Sequence, residues 1–307
     1  MIDRPVFIAG LDRTGKTPMR IAIEGSASIA MVRRAELWTN HNGRDADLAD
    51  DAVATDVLSR LLHDRHVAAQ VHDPSRLQRD LLAGARTHAY LFALVGRQHA
   101  EKTGRKRWGD QTALIERHAT EILDSFPDAR FVHMLRDPRD RFAASLAGGG
   151  IGRGGLSTAC EEWLESAGLG ERHAAAYPDR YRLVRFEDLA RDPRETVNRV
   201  LAFVGEPVLT ADRDVPVPVT LMTGIGLYRS TLSARAVALI EAFCGPRMLQ
   251  HGYRAESPAL GAVDRLRLAL VDRPWAAASL IAWRARAGRQ PARRATRATR
   301  AGRAGDV

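Results

Sequence analysis

Residues 5–18 read Pro-Val-Phe-Ile-Ala-Gly-Leu-Asp-Arg-Thr-Gly-Lys-Thr-Pro, and they restrict the fold more than any other stretch. Val6–Ala9 is a short apolar run of the kind that forms a buried strand. Gly10–Thr17 follows as G-x-x-x-x-G-K-T, and Met19–Ile23 continues with helix-compatible apolar residues. A strand, a glycine-bounded loop and a helix N-terminus make an anion cradle, because loop N–H groups turn inward with the positive end of the helix dipole behind them. Pro18 suits the first helical turn, where a missing N–H costs nothing. Lys16 supplies a flexible point charge for terminal phosphate or sulfonate oxygens, and Thr17 a hydroxyl. Arginine outnumbers lysine by 43 to 3 in this chain, yet a lysine stands at this position.

A P-loop ATPase or kinase also needs an apolar strand ending directly in a carboxylate that seats magnesium. Two strands are candidates, Phe131–Asp137 and Tyr181–Glu187. The first inserts Arg136 before its acid, and Arg182 and Arg185 interrupt the second. Neither is a good magnesium strand, so the anion the loop holds has to be sought elsewhere in the chain.

The 307 residues suffice for one large α/β domain, and 45% apolar residues supply its core. Cys160 and Cys244 match no metal-ligand spacing, which reads as a reduced, cytoplasmic chain. The N-terminus lacks the pattern of a secretory signal, and no stretch reaches the roughly 18 apolar residues needed to span a bilayer. The net charge of +9 is unevenly placed: eight arginines against Asp306 give residues 284–307 a charge of +7, leaving +2 for the rest. The basic character belongs to the tail and is no argument for nucleic acid.

Along the chain, Ser26–Met31 reads as a short strand or loop. Val32–Trp38 is either an acceptor-binding cluster or a solvated turn with one buried Trp. His41 is a candidate base without support. Residues 51–63 and 76–102 carry helical apolar spacing. His63, His66 and His72 are scattered among them without metal-ligand spacing and read as surface residues. Lys106–Asp110 is a short strand or turn before a helix over about 114–126, and Arg130–Leu135 is a strand. Asp137-Pro138 with Asp140 is a strong helix start, so Arg136 falls at the carboxyl end of a buried strand, where open α/β sheets bind ligands. Gly148–Gly155, with six glycines in eight residues, predicts a mobile loop beside the site. A helix over about 156–176, a strand over 181–186, a helix over 196–205, a glycine-containing loop over 222–232 and a helix over 233–244 complete the body. Alternating strands and helices predict a single P-loop-like α/β domain, its central sheet mostly parallel and flanked by helices.

These pieces, in this order, resemble the sulfotransferase family that uses 3′-phosphoadenosine 5′-phosphosulfate (PAPS). The likeness is to its bacterial branch and to the carbohydrate and tyrosyl-protein enzymes. Arg13-Thr-Gly-Lys-Thr17 is similar to the family's 5′-phosphosulfate loop, R-S-G-T-T. Trp108-Gly-Asp-Gln-Thr112 is similar to W-G-D-K-T, and Arg136-Asp-Pro-Arg-Asp140 to the 3′-phosphate motif. Residues 181–205 are similar to Y-x-L-V-R-Y-E-D-L…D-P…F-L-G, and residues 228–253 to the final helix. The resemblance implies metal-independent, in-line transfer of a sulfonate from PAPS to the hydroxyl of a carbohydrate, glycolipid or small metabolite, leaving 3′-phosphoadenosine 5′-phosphate (PAP). It implies that Arg13, Thr14, Gly15, Lys16 and Thr17 hold the 5′-phosphosulfate, with Arg13 and Lys16 stabilising the leaving charge. Arg136, Ser145 and Arg229 would hold the 3′-phosphate.

Lys16 stands where the family usually has Thr, Gln111 replaces a Lys, and Ala144 occupies the usual Ser position with Ser145 following. The family's Glu about 21 residues beyond the loop Arg falls here on Arg34, which leaves Glu36 and Asp110 as candidate bases. The alternatives are a nucleotide-dependent kinase, on the literal G-x-x-x-x-G-K-T, and a non-catalytic nucleotide-binding protein. The sequence divides into residues 1–260 as the catalytic-type domain, 261–283 as an amphipathic helical segment that Pro274 should kink or split, and 284–307 as a basic tail without an apolar face to bury. That segment is either a helix packed on the body or an interfacial helix making peripheral contact with the inner face of a membrane.

Overall fold

The computed structural model describes residues 4–26, 28–41, 47–147, 155–215, 224–256, 260–275, 278 and 281. The expected glycine loop over 148–154 and the basic tail over 284–307 lie outside these residues. Five strands, β1 (Val6–Ala9), β2 (Ile29–Arg33), β3 (Arg107–Gln111), β4 (Arg130–Leu135) and β5 (Tyr181–Arg185), form one sheet. Their order is β2-β3-β1-β4-β5, and every pairing is parallel.

Strand alternation sorts the core into two layers. Phe7, Trp108, Phe131 and Tyr181 face one side, under helices α3 (Asp51–His63), α5 (Pro74–Ala83), α6 (His88–Lys102) and α7 (Ala119–Ser125). Phe7 stacks on Phe131 at 4.9 Å and meets Trp108 edge-on at 5.8 Å. Val6, Ile8, Val132 and Met134 face the other side, under α1 (Lys16–Ser26) and α11 (Pro193–Val204). A third apolar cluster joins α8 (Pro138–Ala147), α9 (Gly155–Ala176) and α13 (Ala234–Gln250) to Leu11 and Leu135, beyond the strand ends. The shorter helices are α2 (Leu37–Asn40), α4 (Arg65–Ala68), α10 (Phe186–Arg191), α12 (Tyr228–Thr231) and α14 (Ala262–Arg267).

Side-chain caps fix the helix starts. Asp50, Asp73, Thr87, Asp192 and Ser233 each accept a backbone N–H of the first turn, and Pro74 and Pro193 occupy first-turn positions. Those caps correct the sequence reading at several points. The helix expected over 76–102 is two, because Gly84 ends α5 and Thr87 restarts the chain as α6. The helix expected from 114 begins as a 3-10 turn over Ile115–His118, after Leu114 enters the left-handed region at φ 62°. The helix expected to end at 244 runs through Pro246 to Gln250. In the segment after residue 261, a widened π-type turn over Leu268–Asp272 precedes Pro274.

Candidate active site

After β1 the chain builds β2 and β3 on one side, then crosses β1 to lay down β4 and β5 on the other, so the carboxyl ends of β1 and β4 form the crevice where this topology places ligands. The loop after β1 is shaped by two glycines, Gly10 at φ 107° and Gly15 at φ 95°. A Cβ on Gly10 would run into the Met134 carbonyl oxygen, so the loop lies directly against the end of β4. Thr14 Oγ1 donates to Leu11 O at 2.7 Å and ties the turn across its middle. Arg13 and Thr17 are exposed, and Arg13 holds a left-handed φ of 70°. Such backbone in a non-glycine residue gathers at ligand clamps.

Lys16 opens α1 and is 5% exposed, with Nζ 3.3 Å from Asp12 Oδ1. Burial pushes its pKa down, while Asp12 and the buried Glu116 oppose that shift. A desolvated ammonium at a helix start, beside an open glycine turn, is a strong anion site.

Arg136 reaches the same place from β4. Its Nη1 donates to Arg13 O at 2.9 Å and its Nη2 to Gly224 O at 2.6 Å, and the guanidinium lies 4.3 Å over the Phe186 ring. Its Nε is buried without a hydrogen-bond partner. Phe186 is a shared floor: a Cβ on Gly15 would lie 2.7 Å from its ring, and one on Gly224 2.9 Å. The acids after Arg136 are already engaged. Asp137 grips Arg139 through both oxygens, and Arg139 continues to Glu241 at 2.5 Å. Asp140 accepts the backbone N–H groups of Gly226 and Tyr228 at 2.8 and 3.0 Å, which pins the loop before α12.

The other expected 3′-phosphate residues have different partners. Ser145 Oγ donates to Arg141 O, one turn back on its own helix, at 2.9 Å. Arg229 is exposed and paired with Glu256. The structure thus gathers the loop residues and Arg136, and leaves Ser145 and Arg229 turned to other groups.

Of the two candidate bases, Asp110 is 1% exposed at the carboxyl end of β3, in register with Phe7 and Val32. Its Oδ1 accepts Thr112 Oγ1 at 3.0 Å, and its Oδ2 is buried without a hydrogen-bond partner. Burial raises its pKa to about 7; the charge of Glu36 adds to the rise and that of Lys16 opposes it. Glu36 is exposed, sits at φ 46° before α2 and accepts a bond from Asn40. Gln111 lies beside Asp110, half-buried, with its side-chain oxygen unpartnered. Within 32–38, Trp38 is a core residue 5.1 Å from Phe92, while Arg33 and Arg34 are exposed. His41 faces Asp64 at 3.4 Å. His63 and His72 are exposed and His66 is half-buried.

Sequence reasoning missed the support beneath the loop. Glu116, fully buried, accepts Gly10 N–H at 3.1 Å with one oxygen and the Ser166 hydroxyl with the other. Ser166 Oγ is 3.2 Å from His133 Nε2, and His133 Nδ1 is 2.7 Å from Tyr181 OH. Because Ser166 spends its proton on Glu116, the donors run one way: Tyr181 to His133, His133 to Ser166, Ser166 to Glu116. Burial pushes His133 down to about 4, consistent with a neutral ring. Arg141 adds a tie to the loop, its Nε donating to Asp12 O at 3.4 Å and its Nη2 to Glu162 at 2.9 Å. Glu116 lies in a stretch that reads as plain helix, and nothing in its spacing marks it.

Fold and site together define an α/β protein with a P-loop-like anion cradle and a second cationic side chain at the neighbouring strand end. A family model described as the sulfotransferase family matches residues 5–210. The chain belongs to that family. Human carbohydrate sulfotransferase 3 is 26% identical over a stretch covering 45% of this chain and 36% of that enzyme, so the match spans about a third of the relative's length. The sulfotransferase domain of the Synechococcus PCC 7002 olefin synthase is 17% identical, covering 79% of this chain and 96% of that one, with a TM-score of 0.48. Retinol dehydratase, crystallised with androsterone and inactive cofactor PAP, is 13% identical, covering 80% of each chain, with a TM-score of 0.40.

Proposed function

We propose that this protein transfers a sulfonate from PAPS to an acceptor hydroxyl, with Asp110 as the general base. The observation that carries the reading is the buried, unpartnered Asp110 Oδ2, on a carboxyl raised to about 7. A carboxyl of that pKa accepts a proton near neutrality, where general-base efficiency is greatest. The cradle residues suit the donor: the glycine turns at 10 and 15, the buried Lys16 charge and the unpartnered Arg136 Nε belong to the same pair of strand ends.

When bound, PAPS supplies an activated sulfonate on a phosphate leaving group. The loop amides, Arg13, Thr14 and Thr17 would bind and orient its 5′ end. Lys16 would stabilise negative charge gathering on the bridging oxygen as that bond breaks, and Asp110 would take the acceptor's hydroxyl proton. Arg136 would hold the 3′-phosphate, with Ser145 and Arg229 joining only if their side chains leave Arg141 O and Glu256. The acceptor class is a carbohydrate, a glycolipid or a small metabolite.

Calorimetric titration with PAP and ATP side by side tests this reading. PAP should bind, and release of PAP from PAPS should require an acceptor hydroxyl and persist in EDTA. Binding of ATP with magnesium but not of PAP would overturn it and support the kinase that the literal G-x-x-x-x-G-K-T suggests. PAP binding without turnover on any hydroxyl panel would leave a nucleotide-binding protein.

A further inference from the structure

The segment after Gly261 is held to the body by few groups. Leu268 is buried in the cluster that also contains Leu11 and Leu135 at the strand ends. Asp264 pairs with Arg235 at 2.8 Å, and Arg273 donates to Ala242 O at 3.0 Å while lying over Phe243. Six other apolar residues among those described point outward: Val263 is 81% exposed, and Leu266, Leu270, Val271, Trp275 and Ile281 are all more than half exposed. Among the described residues they are six of the nine large hydrophobic side chains that are exposed, gathered within 19 positions. Val263, Leu266 and Leu270, at i, i+3 and i+7, share one helix face. Scattered exposed leucines need no explanation, but a contiguous face of them marks an interaction site.

Charge identifies the occupant. The face is followed in sequence by 284–307, with eight arginines and one acid. No helix among the described residues is long and apolar enough to cross a membrane. An apolar helix face of modest length joined to a polybasic run is suited to lying in the plane of an anionic bilayer. We propose that the exposed apolar side chains of residues 262–275 dock on an anionic lipid surface, with the arginine run adding electrostatic attraction. This assignment does not depend on the sulfonate-transfer reading.

Co-sedimentation of the full chain with phosphatidylcholine vesicles, with and without phosphatidylglycerol, tests the proposal. Binding should require the anionic lipid, weaken at least tenfold between low and high salt, and fall at least tenfold in Leu266→Ser/Leu270→Ser. Both substituted side chains are exposed, so the variant's melting temperature should match the parent's and any loss of binding reports the surface. No binding to anionic vesicles would overturn the docking site. Equal binding of parent and variant would assign attraction to the arginines alone and overturn the apolar face. Concentration-dependent dimerisation that disappears in the variant, without vesicle binding, would make a second copy the occupant.

Discussion

Lys16 Nζ lies 3.3 Å from Asp12 Oδ1, a lysine that is 5% exposed paired with a carboxylate that is 80% exposed. The pair ties the loop to itself and sets a carboxylate beside the ammonium, a negative charge that an anion approaching Lys16 would meet. Asp12→Asn should therefore tighten PAP binding several-fold at pH 7. Asp12 also raises the pKa of Lys16 against its burial. Removing it should move the alkaline loss of PAP binding to lower pH, since Lys16 attracts anions only below its pKa. Titrations at a series of pH values check both shifts; an unmoved alkaline limb would separate Asp12 from the lysine's ionisation.

Lys16→Ala should lower kcat more than it lowers affinity for PAP, because the ammonium matters most as charge builds on the leaving oxygen. Lys16→Thr, which restores the usual family residue, should retain most activity. Parallel losses in kcat and PAP affinity would reduce Lys16 to a binding residue.

Arg136→Ala should weaken PAP binding by about 1.5–3 kcal/mol, the scale of a charged hydrogen bond, and AMP binding hardly at all. The structure adds a second expectation. Arg136 also holds the carbonyls of Arg13 and Gly224, so the variant should melt at a lower temperature. Equal losses for PAP and AMP would mean that Arg136 acts only through the loop.

Asp110 makes two pH predictions. Its folded pKa of about 7 lies above its ordinary 3.8, so between those values the folded protein carries the extra proton. Stability from this group falls as pH rises through that window. Asp110→Asn removes the fall, so the variant's melting temperature should exceed the parent's most at pH 8, with the gap narrowing towards pH 5. The same substitution should reduce kcat by about 10²–10⁴-fold and abolish the rise in rate as pH climbs through 7. A variant of full activity would return the base to Glu36.

Glu116→Ala would leave Gly10 N–H and the Ser166 hydroxyl buried without an acceptor, at about 1–3 kcal/mol each. Thermal melts should show Glu116→Gln, which keeps one acceptor oxygen, substantially milder than alanine. Indistinguishable variants would mean that the cradle does not rest on this residue.

β1 and β4 were legible because each is a short apolar run, whereas β3, Arg107-Trp-Gly-Asp-Gln111, has only one large apolar residue and could be read as strand or turn. Gly10–Thr17 announced the cradle because its chemistry is contiguous in sequence. Arg136 was legible because a strand end followed by Asp137-Pro138 fixes its address. Glu116, Ser166 and His133 were not, since they meet only after α9 packs beside β4 and their spacings, 17 and 33 residues, follow no local period. Asp140 was read as a helix-start residue, and its grip on Gly226 and Tyr228 spans 86 and 88 positions. Trp38 could be read two ways from sequence, and burial against Phe92 makes it a core residue. Element ends were misjudged at Gly84 and Pro246, where a cap or its absence outweighs periodicity.

The Phe186 ring touches three segments that arrive from distant parts of the chain: the phosphate loop at Gly15, the strand end at Arg136 and the turn at Gly224. Segments that share one rigid plate cannot shift independently. Substitutions at positions 15, 136 and 224 should therefore combine non-additively, with the second change costing less than it does alone once the first has loosened the plate. Affinity for the proposed donor should in that sense be a single cooperative quantity.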